Sequence, residues 1–351
     1  MNTKRIEKVV ENMRACGLRQ IIVSATASVY YLTGVWVEPF ERMLALHVKD
    51  DGTMKLYANK MFALNGLTDV PMVEYEDTDD CISVLAPDML PGALGIDKTW
   101  PSHFTIRLMQ QRPDITPALG SQPLDDARLI KDADEMALMR TSSRMNVEVC
   151  DRIAAALKEG VTEKEIQALY IQIAQELGSP GPSFTPLICF GPNGAEPHHD
   201  SDSTKLKLGD TVIMDVGLLW KHYCSDMTRT VHFGEVSDEQ KRVHDIVSAA
   251  NRAGIAACRP GVKMKDIDRA ARKVIEDTGY GQYFTHRTGH GIGLDEHEFP
   301  DCSAVSETVT RPGMIFSIEP GIYLPGRFGV RVEDLVAITE DGCEVLTGIR
   351  Q

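Results

Sequence analysis

Three strand-like, apolar runs each carry an acidic residue: Asp215 in VIMDVGLLW, Glu319 in MIFSIEPGIY and Glu333 in VRVEDLVAI. Their neighbours predict burial, and a buried carboxylate without a partner costs several kcal/mol. For any one of them, a paired carboxylate at a strand end is the simpler reading. Three in one region demand a common answer: a fold that brings separate strands to one point, where a cation or a dense set of donors meets them.

A fourth carboxylate supports the cation. Asp226 follows Asp215 by 11 positions, so a hairpin joining IMDVGLL to DMTRTVHF can set the two face to face, at about 5 Å for opposed side chains. Two carboxylates that close repel unless a metal lies between them. The stretch HRTGHGIGLDEHEFP, residues 286–300, supplies imidazoles. It is neither an H-E-x-x-H helix, since no Glu follows His286, nor a G-x-G-x-x-G nucleotide loop, since the glycine spacing differs. His290 therefore completes, with Asp215, Asp226, Glu319 and Glu333, a set of one nitrogen and four carboxylate ligands. Such an oxygen-rich set suits two divalent ions bridged by carboxylates and a water.

The rest of the chain has room for this. Its 351 residues favour two domains. The opening segment MNTKRIEKVVENMRACG places Ile6, Val9, Val10 and Met13 at helical spacing among charges, which reads as a surface helix stopped by Gly17 rather than a signal peptide. Strand-like QIIVSA, MLALHV and MKLYA follow, an α/β pattern. The Pro- and Gly-rich RPDITPALGSQPLDD is taken as the boundary, giving domains 1–125 and 126–351. Beyond it, helices are expected from DADEMALMR onward, from Thr162 with a capping box to Glu165, from near Asp238 and from near Met264. Alternation with β runs predicts an α+β second domain with a largely antiparallel sheet.

The formal net charge of -14 argues against nucleic acid or an anionic membrane as the main partner. No run approaches the roughly 20 apolar residues that span a bilayer. Eight cysteines without a C-x-x-C pair suit free thiols in a reducing compartment, so a cytoplasmic location is expected. Cys224, near Asp226, is read as packing rather than nucleophile.

Taken in order, PNGAEPHHD, MDVGLLWKHYCSDMTRT, THRTGHGIGLDEHE, SIEPGIY and VRVEDL resemble the metal-dependent Xaa-Pro peptidases, prolidase and proline aminopeptidase. Their pita-bread fold is shared with methionine aminopeptidase and creatinase, and VYYLTG followed by ERMLALHV is similar to the family's N-terminal domain. The resemblance implies a C-terminal pita-bread domain behind a smaller α/β domain, with Asp215, Asp226, His290, Glu319 and Glu333 as dinuclear metal ligands. It assigns His198 and His297 to catalysis beside Glu319 as general base, and Tyr323 and Arg331 to the substrate. His199 and His286 are expected at the surface or in supporting roles, and Arg331 has a simpler alternative as partner of Glu333 or Asp334. Manganese is the expected metal, with cobalt, zinc or iron able to occupy the same ligands. A homodimer and a proline-containing di- or oligopeptide substrate are implied. The compact N-terminal domain favours a dipeptidase, with an Xaa-Pro aminopeptidase as the alternative. Methionine aminopeptidase is disfavoured by the large first domain, creatinase by the complete ligand set, and a non-catalytic pita-bread binding protein by the same intact set.

Overall fold

The computed structural model describes residues 2–348. The chain divides into two compact units, Met1–Arg128 and Leu129–Gln351.

In the first unit the helix Thr3–Ala15 starts where the Asn2 side chain accepts from the Arg5 N–H, and it buries Val9, Val10 and Met13. Gly17 ends it at φ +69°, a left-handed conformation that glycine adopts without steric cost. Six strands form a mixed sheet in the order Met72–Tyr75, Met54–Asn59, Ala45–Lys49, Gln20–Val23, Gly92–Ile96, Ile115–Leu119. Ile22, Leu94, Phe104 and Leu108 join one core beneath it. The Pro- and Gly-rich stretch read as a boundary folds as the last of these strands and the helix Gln122–Arg128, both within the first unit.

The second unit is built from antiparallel pairs backed by helices. Three of its four long helices begin with capping boxes, Asp132 with Glu135, Thr162 with Glu165 and Ser237 with Gln240. Leu187–Phe190, Thr211–Val216 and Met227–His232 make a three-stranded sheet. Glu298–Cys302, Gly289–Gly291, Ile315–Ile318, Asp334–Ile338 and Cys343–Val345 make a five-stranded one, and Gly321–Leu324 pairs with Phe328–Arg331. The mixture of helices and antiparallel sheets is the α+β arrangement expected. Helices Ala133–Ala155 and Glu163–Glu176 pack with Val212, Met214 and Val216. Helix Met264–Asp277 packs with Phe316, Ile318, Val336 and Ile338. Among the described residues no helix is long and apolar enough to cross a membrane, and all eight cysteines are free.

Candidate active site

Period-two alternation aims the acidic residues. In Thr211–Val216 the even positions pack on the helices, so Asp215 points to the opposite face. In Ile315–Ile318 the even positions again face the core, which leaves Ser317 and Glu319 on the other side. Glu333 stands just before Asp334–Ile338, out of phase with Val336 and Ile338. The result is one cavity of about 400 Å³ whose wall includes Asp215, Asp226, His290, Glu319 and Glu333.

The hairpin geometry differs from the expectation. Thr228, not Asp226, lies opposite Asp215, and Asp226 precedes the strand Met227–His232. Asp226 and Thr228 share a face, so Asp226 meets Asp215 along the diagonal. The reason lies in the turn: Leu219–Trp220 pairs with Tyr223–Cys224 around Lys221 and His222, both at positive φ, and the register set there, Trp220 opposite Tyr223, carries on through Val216 opposite Met227 to Asp215 opposite Thr228.

Donor atoms of Asp226, His290 and Glu333 all lie within 4.8 Å of one another. His290 Nε2 stands 3.6 Å from Asp226 Oδ2 and 3.4 Å from Glu319 Oε1. Its Nδ1 is 3.0 Å from the Gly291 carbonyl. A carbonyl only accepts, so Nδ1 carries the proton and Nε2 keeps its lone pair toward the carboxylates, the tautomer a metal ligand requires. Ser317 Oγ steadies both sides, accepting from His290 N–H at 3.0 Å and donating to Glu319 Oε1 at 3.2 Å.

The glycines of this segment admit a close approach of backbones. A Cβ on Gly289 would fall 1.9 Å from the Ser317 carbonyl oxygen, and one on Gly291 2.5 Å from that of Phe299. Alanine at Gly289 would force apart the strands that bring His290 to Glu319, and alanine at Gly291 would push away the strand Glu298–Cys302 on the other side.

Electrostatics point to a cation. Asp226 and Glu333 are held well above the usual carboxylate range, first by burial and then by neighbouring carboxylates. Burial, with a further push from Asp215 against the pull of Arg331, raises Glu319 to about 7. His290 is lowered to about 3, chiefly by burial, and is therefore neutral. Among the described residues, Asp215 Oδ1, Asp226 Oδ1 and Glu333 Oε1 are buried without a hydrogen-bond donor. Buried carboxylate oxygens require a donor or a cation, and the donor set, one neutral imidazole among carboxylates, fits hard divalent ions.

The remaining predicted residues are placed as follows. His198 is exposed on the cavity wall. His297 is also exposed and on the wall, with its ring 4.0 Å from that of His290 and its Nε2 3.5 Å from Glu296. Arg331 is buried, and its guanidinium is fully engaged: Nη2 with Asp215 Oδ2 at 2.5 Å, Nε with Thr228 Oγ1 at 3.0 Å and Nη1 with Tyr323 OH at 2.8 Å. It pairs with neither Glu333 nor Asp334, the latter being bound by Arg229. Thr228 Oγ1 in turn donates to Glu333 Oε2 at 2.7 Å, so one threonine links a candidate ligand to the arginine. Tyr323 is buried against this network.

Of the two places expected for His286, the surface or a supporting role, the structure gives the second. His286 lines the cavity, with Nε2 2.9 Å from Tyr323 OH, and burial lowers it to about 4. Glu296, raised to about 7 by burial and the charge of Asp215, also lines the cavity. Sequence reasoning passed over Thr228, although its parity with Asp226 was a usable signal; no local pattern marks His286 or Glu296. Cys224 is buried and its thiol is pushed well above its ordinary range, as suits packing.

Comparison with known proteins gives the family. Residues 137–340 match metallopeptidase family M24, and residues 5–130 match the creatinase/prolidase N-terminal domain. An uncharacterized peptidase of Staphylococcus aureus (strain MSSA476) is 36% identical over 351 residues, spanning 98% of each chain. Among solved structures, the chain is similar to the prolidase from Thermococcus sibiricus, with TM-score 0.95 and 32% identity over 100% of this chain and 98% of that one. It is also similar to the X-Pro aminopeptidase from Thermotoga maritima, with TM-score 0.82 and 28% identity over 97% and 98%. With both domains matched and divalent-metal donors gathered in one cavity, the chain belongs to metallopeptidase family M24.

Proposed function

We propose that the chain is a dinuclear-metal peptidase that cleaves the bond before proline in Xaa-Pro dipeptides. The observation that carries this reading is the convergence of four carboxylates and one neutral imidazole on a single cavity, with three buried oxygens lacking a donor among the described residues. Asp215, Asp226, His290, Glu319 and Glu333 would hold two divalent ions, manganese being the best match to so many oxygens. Such a centre, when loaded, supplies a nucleophilic water near neutral pH and polarises the scissile carbonyl.

The chain's own groups do the rest. Glu319 accepts the proton of the attacking water and returns it to the departing proline nitrogen. His198 and His297, on the cavity wall, donate hydrogen bonds to the carbonyl oxygen or leaving nitrogen as charge develops. Arg331 holds Asp215 and Tyr323 in place; with its three nitrogens engaged, its contribution is to order the site rather than to offer a free fork to a proline carboxylate. A proline substrate suits a dedicated enzyme because its amide has no N–H and its ring fixes φ.

A dipeptide substrate is favoured over longer peptides by the closer overall likeness to the prolidase, TM-score 0.95 against 0.82 for the aminopeptidase. The test is kcat/KM for Ala-Pro against Ala-Pro-Ala, on protein stripped with chelator and reloaded with manganese. Faster cleavage of the tripeptide would make the protein an aminopeptidase. Cleavage at full rate by protein shown metal-free by elemental analysis would remove the metallopeptidase mechanism altogether.

A further inference from the structure

One buried carboxylate outside the cavity has no part in the mechanism above. Glu163 opens the helix Glu163–Glu176, and its side chain is 0% exposed. An acidic residue in a first turn normally faces solvent or its own helix. Glu163 instead accepts four hydrogen bonds from a distant segment. Oε1 takes the Phe190 N–H at 2.7 Å and Asn193 Nδ2 at 2.9 Å, while Oε2 takes the Asp202 N–H at 2.9 Å and His199 Nε2 at 3.1 Å. Phe190 and Asp202 bracket the stretch GPNGAEPHHDS, residues 191–201, and Asn193 and His199 lie within it.

That stretch carries His198 to the cavity wall. The His198 ring makes no hydrogen bond to the described residues and is exposed, so its position is set by its backbone. The backbone, in turn, is tied at both ends to one carboxylate. Glu163, His199 and Asp202 lie close enough to surround a cation, but four donors already fill the lone-pair directions of the Glu163 carboxylate. A metal has no oxygen left to claim there.

We propose that Glu163 is a positioning residue for hydrolysis: its buried carboxylate locks the 190–202 segment so that His198 meets the reacting bond. The inference rests on the role given to His198 above.

Glu163→Gln tests it while keeping the side chain's shape. The amide can still accept from Phe190 and Asn193, but its NH₂ faces the Asp202 N–H, which then has no acceptor. Expected are a kcat on Ala-Pro lower by roughly ten- to hundredfold, as for loss of a group acting in the transition state, little change in KM, and unchanged manganese content. In a His198→Ala background the effect should vanish, the double variant being no slower than His198→Ala alone, because both changes remove one function. His199→Ala, which deletes a single donor from the less buried side, should give a smaller loss that is likewise absent in that background, and it decides the matter if Glu163→Gln does not fold. Losses that multiply in the double variant would overturn the proposal, as would a wild-type kcat for Glu163→Gln. A His198→Ala enzyme with wild-type kcat would overturn the role of His198 itself, and the positioning role with it, whereas loss of activity on chelation tests the metallopeptidase reading separately.

Discussion

Asp226 and His297 share one cavity wall but touch different things. Asp226 is buried, with Oδ1 lacking a donor and Oδ2 3.6 Å from His290 Nε2, so its charge is of use only to a cation. His297 is exposed and sees His290 ring to ring. Asp226→Asn and Glu333→Gln should therefore lower both bound metal and activity, the latter by more than about 10²-fold. His297→Ala should keep its metal and lose turnover by about 10²-fold, the size expected for a hydrogen bond to developing charge. Elemental analysis beside steady-state kinetics separates these cases. Normal metal content in Asp226→Asn together with loss of metal in His297→Ala would show the two roles exchanged.

At the scale of elements, the site depends on two strands lying closer than side chains allow. Gly289 passes the Ser317 carbonyl at a distance where a Cβ would stand 1.9 Å from its oxygen, and the Glu319 N–H donates to the Thr288 carbonyl at 2.7 Å across the same gap. Both contacts are backbone, so no side chain can move to make room. Gly289→Ala should cost about 1 to 3 kcal/mol, as overpacking does, and reduce metal content because His290 and Glu319 are pushed apart. Gly342→Ala is the control: the nearest atom to its Cβ is 4.0 Å away, and its effect should stay within about 0.5 kcal/mol. Equal Tm shifts for the two variants would show that the close approach does not limit stability.

For the whole molecule, metal stabilises the second unit, and in the first a buried histidine makes stability depend on pH. All five candidate ligands belong to the second unit, and a ligand that binds only the folded state stabilises by mass action, about 2.7 kcal/mol at a hundred times Kd. Manganese should raise Tm in a concentration-dependent way, and Asp226→Asn should abolish the rise; an undiminished rise would place the metal elsewhere. In the first unit, His47 is buried beside Gln20 Oε1, 3.1 Å from its Nε2, and burial lowers it from 6.5 to about 4. A depressed pKa means that the folded state binds fewer protons between those values. The stability it contributes is then complete above about 6.5 and is lost as pH falls through about 4, up to about 3 kcal/mol. Stability measured from pH 7 to 4 should fall less steeply in His47→Gln, and an unchanged slope would rule His47 out as its source.

How much of this was legible beforehand differs by level. Acidic residues inside apolar runs at Asp215, Glu319 and Glu333 announced a shared centre because burial of charge is costly wherever it occurs, and alternation along a strand tells which face each takes. Capping boxes at Thr162 and the stop at Gly17 were readable for the same reason: they are satisfied within a few residues. What only the tertiary structure decided were pairings between distant segments. Arg331 is spent on Asp215, Thr228 and Tyr323 rather than on its sequence neighbours. His286 turns inward to Tyr323, and Glu163 reaches Phe190, Asn193, His199 and Asp202. Each is a hydrogen bond across 8 to 116 positions, whose partner is chosen by how sheets and helices pack, and packing is a property of the whole chain rather than of any window along it.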